Sequence, residues 1–419
     1  MWHRRHRERW SHRNSGRTPR CSRRRAQKTG LHCKTFGWLK ILEHLFKNKL
    51  EIRNSLSQRI LNFIENVPFF PLSTDHDQTF NKLALEVFEW QFSFNHPYRR
   101  LCERRGITPG KVNFWTEVPP VTTASLKAMP LFCFDPQEAC AIFHTSGTTL
   151  KNPGKHYFYS LDIYKTAAMR WFKEACIPQN ANYPFLVLGP TAQHFPNSSL
   201  GQMFSWILEE FPENNTCTAF TAQGIDFKNA QKFLIENFNL SKPVFILSTS
   251  LALLEFVDYL AKLGSGAKLI DGSIVLDTGG YKGRKKNIER DEFLKYVAKN
   301  LDIPREMIFN EYGMTEMSSQ FYESKFIRKK YNTYKKLAPP WLKSIACDPL
   351  TLDILPDGEK GLLRHFDLAN LDSVAMVQTE DIGTAGPDGI ELFGRPTDAL
   401  PRGCSLLAEE IIAATKQED

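Results

Sequence analysis

Residues 243–280 read PVFILSTSLALLEFVDYLAKLGSGAKLIDGSIVLDTGG. Two apolar runs of strand length, PVFILST and SIVLDTGG, flank SLALLEFVDYLAKLG, which has the length and composition of a helix. Strand, helix, strand is the repeating unit of a parallel sheet. The same alternation extends from about residue 140 to 320. CAIFHT, PFLVLGP and EMIFNEYG are further strand candidates, and NSSLGQMFSWILEEF, KNAQKFLIENFN and NIERDEFLKYVAKNL are further helices. In the last of these Ile288, Leu294, Val297 and Leu301 mark one apolar face. The fold class expected is α/β, with largely parallel sheets covered by helices on both faces. In such folds ligands bind at the carboxyl ends of the strands, so the loops that follow the strand candidates are where chemistry is sought.

Outside this body the texture changes. Upstream, WLKILEHLF, RILNFIENV and NKLALEVFEWQF read as docking helices. Downstream, residues 341–395 carry short alternating runs punctuated by Asp-Gly at 357–358 and 388–389. That is hairpin chemistry and predicts a small β subdomain. The expected organisation is a basic extension (1–36), an α/β body (37–340), the β subdomain (341–395) and a C-terminal segment (396–419).

At 419 residues, 42% hydrophobic and 24% charged, the composition is that of an ordinary globular chain. The net charge of +8 is unevenly spread. Residues 1–34 hold ten Arg, two Lys and one acid, Glu8, so this arm is +11 and the rest is −3. Nucleic acid binding by the body is not expected, and the arm reads as a solvated extension without a core of its own. No apolar run reaches the length of a membrane-spanning helix. Nine scattered cysteines without CxxC spacing argue against zinc and for reduced thiols in a cytosol-like compartment.

Three loops carry candidate chemistry. The first, HTSGTTLKNPGKH (144–156), offers hydroxyls, backbone N–H groups and Lys155, but is not a Walker A sequence. Alone it fits a phosphate cradle or a polar surface loop. The second, NEYGMTEMSSQ (310–320), presents a flat Tyr312, a Gly313 that admits close backbone approach, and Glu316, a hard oxygen ligand. Alone it also fits a strand-to-helix turn. The third, VQTEDIG (377–383), with GRPTD (394–398) beyond it, offers Asp381 for a ribose and Arg395 for sugar or phosphate; a turn aspartate and a surface arginine are equally open. Cys404 lies beside Arg402 and ahead of the helical run SLLAEEII, where a thiolate is favoured. By itself it also fits a buried structural cysteine.

In this order and spacing the loops resemble the adenylate-forming superfamily. Its pattern is matched by Thr145-Ser146-Gly147-Thr148-Thr149, by Tyr312-Gly313-Met314-Thr315-Glu316, by Thr379-Glu380-Asp381 and by Gly394-Arg395. The resemblance implies that residues 145–149 and Lys155 hold the phosphates of ATP. It implies that Gly279, Gly280, Tyr312, Gly313 and Thr315 frame the adenosine, with Asp381 and Arg395 on the ribose and Glu316 on Mg²⁺. The chain departs from that superfamily in reading LKNPGKHYF after the hydroxyl run, and in having 24 residues after Arg395. A full swinging C-terminal domain is therefore not expected.

With PNSSLGQMFSWI, DTGGYKGRKK and RGCSLLAEE added, the chain resembles the acyl-protein synthetase family, the synthetase subunit of bacterial luminescence fatty acid reductases and its homologues. The resemblance implies activation of a fatty acid by ATP and transfer of the acyl group to Cys404. It further implies delivery to an acyl reductase partner, and an acyl site lined by His194, Asn197, Ser198 and Ser199. A free-standing acyl- or aryl-CoA ligase of phenylacetate-ligase type is the alternative.

Overall fold

The computed structural model describes residues 32–70, 72–145, 153–178, 181–211, 215–221, 223–264, 267–279, 288–395 and 407, with side chains from residue 47 onward. The basic arm to residue 31 lies outside these. The chain divides into two compact units, Met1–Ile52 and Arg53–Asp419. The first holds the beginning of helix α1 (His32–Asn66), and the second holds its end and all that follows.

The remaining helices are α2 (Thr74–Phe94), α3 (His96–Arg104), α4 (Thr123–Ala128), α5 (Asp162–Cys176) and α6 (Ser199–Glu210). After these come α7 (Phe227–Asn239), α8 (Ser250–Lys262), α9 (Arg290–Leu301) and α10 (Lys325–Tyr331). The strands begin with β1 (Val121–Thr122), β2 (Ala141–His144), β3 (Lys155–Phe158), β4 (Phe185–Leu188) and β5 (Thr216–Thr218). A two-residue pair, β6 (Phe220–Thr221) and β7 (Gly224–Ile225), precedes β8 (Phe245–Thr249), β9 (Ile274–Thr278), β10 (Ile308–Tyr312) and β11 (Phe321–Glu323). The last are β12 (Leu342–Cys347), β13 (Lys360–Asp367), β14 (Met376–Gly386) and β15 (Gly389–Gly394).

The stretch 243–280 forms the expected unit. β8 and β9 pair in parallel, Ile246 beside Val275 and Leu247 beside Leu276, and α8 connects them. Thr249 ends the strand and caps the helix, its Oγ1 accepting from Ala252 N at 3.3 Å. The full sheet runs β11-β10-β9-β8-β4-β5, parallel except for β11. β4, β8 and β9 read as near-continuous apolar runs because both faces are covered. Helix α8 packs on α7 and α9, and α5 packs on α6 and α10. Within this body the aromatic rings of Phe172, Tyr183 and Phe185 all lie within 5.8 Å of Phe245.

Strand order fixes where a ligand can enter. From β4 the chain steps outward to β5, whereas from β8 it steps the other way to β9 and β10. β4 and β8 are neighbours whose connections leave in opposite directions, so the crevice at their carboxyl ends is a topological switch point.

One expectation fails. CAIFHT is a strand, but it is not part of the parallel sheet. Among the described residues β2 pairs only with β3, antiparallel, His144 opposite Lys155. The hydroxyl-rich loop therefore spans a hairpin rather than joining a strand to a helix. The late strands form a second sheet, β1-β14-β13-β12 with β15 on β14. The Asp388-Gly389 turn joins β14 to β15. Gly389 has φ +115°, and a Cβ there would stand 2.5 Å from the Lys336 carbonyl oxygen, so only glycine fits.

Candidate active site

A cavity of about 520 Å³ lies at the switch point. Pro190 after β4, Thr249 of β8, Thr278 of β9 and Glu311 of β10 line it, together with Ser198 and Ser199 at the start of α6. Helix α6 begins there because Ser198 Oγ accepts from Gly201 N at 3.0 Å. The floor is apolar in part, with Met203, Phe220, Ile225 and Leu251.

Three loops are tied together at the cavity rim. His156 of β3 is buried, and burial lowers its pKa to about 4, so its ring is neutral. Nδ1 lies 2.6 Å from the carbonyl oxygen of Thr315, which can only accept, so Nδ1 carries the proton. Nε2, 2.8 Å from Ser373 Oγ, is then the acceptor. His144 N donates to Asn197 O at 2.8 Å, and Thr315 Oγ1 lies 3.3 Å from Ser199 Oγ. The hairpin, the loop after β10 and the start of α6 thus share one junction.

The neck of the hydroxyl loop is closed by two reciprocal bonds. Thr145 N donates to Gly154 O at 2.9 Å, and Gly154 N donates to Thr145 Oγ1 at 3.0 Å. Gly154 packs so tightly that a Cβ would come within 2.8 Å of Lys127 Cα in α4. Lys127 is thereby placed beside the neck, and it is a cationic neighbour of Glu316.

Glu316 sits on a rigid turn. The Asp367 carboxylate, buried at the end of β13, accepts from Ser318 N (2.9 Å), Ser319 N (2.8 Å), Ser319 Oγ (2.7 Å) and Ala369 N (2.9 Å). Asn370 Nδ2 donates to Glu316 O at 2.8 Å, and Gln91 Nε2 holds Asn370 O at 2.7 Å. The Glu316 carboxyl is itself buried, which raises its pKa, while Lys127 and Arg395 pull it back.

On the second sheet, Asp381 receives Tyr312 OH at 2.8 Å on one oxygen and Arg395 Nε at 2.7 Å on the other. The hydrogen bond to Asp381 raises the Arg395 pKa. Burial, then Asp381, pushes the Tyr312 phenol well above its usual value. His365 lies beneath, Nδ1 2.8 Å from Ser344 Oγ and Nε2 3.5 Å from Tyr312 OH. Burial lowers its pKa to about 4.

Of the residues singled out in the sequence, Ser198, Ser199, Gly279, Gly313 and Thr315 line the cavity. Tyr312, Asp381 and Arg395 form one hydrogen-bonded cluster, and Thr145 sits at the loop neck. Lys155 is exposed on β3 and does not line the cavity. His194 and Asn197 are exposed and do not line it either; His194 Nδ1 contacts Thr191 Oγ1 at 3.3 Å. Ser146, Gly147, Thr148, Thr149, Gly280 and Cys404 lie outside the described residues.

Glu311, Gln320, Lys127, Asp367 and His365 join the site without having stood out in the sequence. Glu311 and Gln320 stand within the NEYGMTEMSSQ string, where nothing local distinguishes them from structural residues. Lys127 and Asp367 had no local signal, since their partners lie far along the chain. Among the described residues no group of three or more His, Cys, Asp or Glu side chains could hold a metal ion. No described helix is long and apolar enough to cross a membrane.

The family model "Acyl-protein synthetase, LuxE" matches residues 46–411. The chain is 22% identical over 355 residues to the long-chain-fatty-acid–luciferin-component ligase of Aliivibrio fischeri, covering 79% of this chain and 88% of the relative. It is 21% identical over 357 residues to the ligase of that name from Vibrio harveyi, covering 81% and 90%. Among solved structures it resembles 2-hydroxyisobutyryl-CoA ligase in the postadenylation state, with a TM-score of 0.58 and 14% identity over 79% of this chain and 70% of that one. An open form of that ligase gives 0.54 and 13%, over 80% and 75%. At this identity the likeness bears on fold alone, an α/β fold of adenylate-forming type with one helix-covered, largely parallel sheet and a second, mainly antiparallel one.

Proposed function

This chain belongs to the acyl-protein synthetase family, and we propose that it activates a long-chain fatty acid with ATP and passes the acyl group to its own Cys404. It is a ligase. The observation that carries the reading is the convergence of the Thr315–Glu316 loop, the neck of the hydroxyl loop and the start of α6 on one switch-point cavity.

In the first step a carboxylate oxygen of the fatty acid attacks the α-phosphorus of ATP, and pyrophosphate leaves. Tyr312 offers a flat face for adenine, and the Asp381–Arg395 pair takes the ribose hydroxyls. Lys155 and the 145–149 loop hold phosphate oxygens, with Lys127 as a further cation at the neck. In the second step the Cys404 thiolate attacks the acyl carbonyl. A carbon–sulfur bond forms, the mixed anhydride breaks, AMP leaves with the bonding pair, and the thiol proton goes to solvent. His194, Asn197, Ser198 and Ser199 are assigned to the acyl side, and of these Ser198 and Ser199 line the cavity.

Mg²⁺ fits this site as a phosphate-bound ion rather than as a protein-caged one. Glu316 supplies one buried carboxylate whose surroundings disfavour its charge, and Mg²⁺ commonly takes one or two carboxylates plus substrate phosphates. When bound it neutralises charge on the triphosphate. Transfer from Cys404 to an acyl reductase completes the proposal. So does a cytoplasmic setting, which the unbridged thiols at Cys102, Cys140, Cys176, Cys217 and Cys347 suit.

The test is ATP–pyrophosphate exchange across straight-chain acids, read beside labelling of the protein with radioactive fatty acid. Cys404→Ser should keep exchange and lose the hydroxylamine-labile label. Undiminished label in that variant would remove Cys404 from the mechanism. Release of AMP that depends on CoA, without lasting label, would favour a CoA ligase instead.

A further inference from the structure

Two buried polar groups in the cavity have no part in the steps above. Gln320 is 5% exposed and lines the cavity. Its Nε2 donates to Ser318 O at 3.1 Å, which fixes the amide orientation because a carbonyl can only accept. Its Oε1 is buried and has no hydrogen-bond partner among the described residues. An unpaired buried acceptor is costly and calls for a donor.

Glu311, also 5% exposed, lines the same cavity. Thr278 Oγ1 donates to its Oε2. Its neighbours include Asp277 on β9 and Lys336 beyond α10, with Tyr164, Tyr322 and Cys176 nearby. Burial is the largest influence and pushes its pKa up to about 8, so near neutrality it is a protonated acid with an O–H to give. The two side chains flank one point. A Cβ at Gly313 would lie 2.2 Å from Glu311 Oε1 and 3.4 Å from Gln320 Cγ. A side chain at Gly313 would displace the Glu311 carboxyl.

Glu311 and Gln320 line one pocket and flank the same point of its wall. A donor and an acceptor carried there match a group that is both, and among acid substrates that group is a hydroxyl. We infer that Glu311 and Gln320 form a specificity pair selecting fatty acids that carry a hydroxyl on the chain, which accepts from Glu311 and donates to Gln320 Oε1. An unsubstituted chain leaves Gln320 Oε1 unpaired against methylene. A site built to bond a hydroxyl discriminates against the analogue that lacks it.

This rests on the adenylating role proposed above, and the experiment separates the two. ATP–pyrophosphate exchange is measured on the full chain with tetradecanoate and with its 2-, 3- and 14-hydroxy derivatives. At least one hydroxy acid should exceed tetradecanoate by about tenfold in kcat/KM, the worth of one well-placed hydrogen bond. Gln320→Met should bring the ratio to within about twofold. Glu311→Gln keeps a donor in place and should retain it. Gln320→Leu serves where the methionine variant does not fold. A wild-type ratio within twofold for every hydroxy acid overturns the inference, as does a preference that survives loss of Gln320. Exchange with tetradecanoate at an equal rate leaves the adenylating role standing while removing the specificity pair. Exchange with none of the acids removes both.

Discussion

Among the buried carboxyl groups of the described residues, four near the cavity fall into two kinds. Asp277 at the end of β9 is held by Arg290 through two bonds of 2.9 and 3.0 Å and by Ser250 Oγ at 2.7 Å. Asp367 at the end of β13 takes two backbone N–H groups, a hydroxyl and a third N–H two residues on. Both are anchors. Glu311, on the strand beside Asp277, has the Thr278 hydroxyl and a wall of the cavity. Glu316 is buried with Lys127 and Arg395 as its opposing charges. The lesson is that a buried acid's partners sort it. Where protein donors saturate the carboxylate it holds the fold, and where they do not, a ligand has something to meet.

The largest test of that sorting is Arg290→Ala. It strands Asp277 as a buried charge and should cost about 3 kcal/mol, toward the low end for a broken buried pair because Arg290 is itself one-third exposed. Urea unfolding measures it, and the Arg290→Ala, Asp277→Asn double variant should recover most of the loss. A cost under about 1 kcal/mol would mean Asp277 is no anchor. Next comes Asp367→Asn, which replaces one accepting oxygen by an amide facing backbone N–H groups. It should cost about 2 kcal/mol. Exchange activity should fall further than stability, because the turn carrying Glu316 loses its clamp. Exchange activity retained by the folded variant would detach that turn from the site.

Glu311 predicts a pH dependence of opposite character. Its folded pKa of about 8 lies above that of an unfolded glutamate, so the folded chain holds a proton the unfolded chain has lost. Stability from this group is complete below about pH 4.5 and declines as pH rises toward 8, by about 1 kcal/mol per pH unit. Glu311→Gln removes the titration. Its stability relative to wild type should climb between pH 5 and 8 and then level off in urea melts. A difference that stays flat across this range would place Glu311 among the anchors.

These contrasts also mark what a sequence can disclose. The parallel sheet is legible because strands buried on both faces leave unbroken apolar runs such as FILS and IVL, separated by helix-length segments. CAIFHT has the same texture and yet forms a hairpin. Its partner opens with Lys155 and His156, and so lacks a strand's usual apolar signature. The Tyr312–Glu316 and Asp381–Arg395 motifs are legible as local strings, and they meet through bonds between residues 69 and 14 positions apart. Partnership itself is not local. Nothing in the string says that Asp277 meets Arg290 while Glu311 accepts from the Thr278 hydroxyl, or that the far oxygen of Gln320 has no hydrogen-bond partner among the described residues. Those facts arise from register, with Asn310 beside Asp277 and Glu311 beside Thr278, and register is set by the whole sheet.

The smallest expected effect tests an acid that stands between the two kinds. Asp381 has an arginine like an anchor, yet half of its hold is Tyr312 OH, 2.8 Å from Oδ2, on the tyrosine assigned to adenine. Tyr312→Phe keeps the ring and the Arg395 bonds and removes only that hydroxyl. Stability should shift by no more than about 1 kcal/mol, because Asp381 keeps a charged partner. If Asp381 takes the ribose hydroxyls, those hydroxyls compete with Tyr312 for the same oxygen. Releasing it should lower KM for ATP about two- to threefold, with kcat little changed. A tenfold rise in KM would instead make the phenol a nucleotide contact in its own right, and Asp381 an anchor whose work is to hold Tyr312.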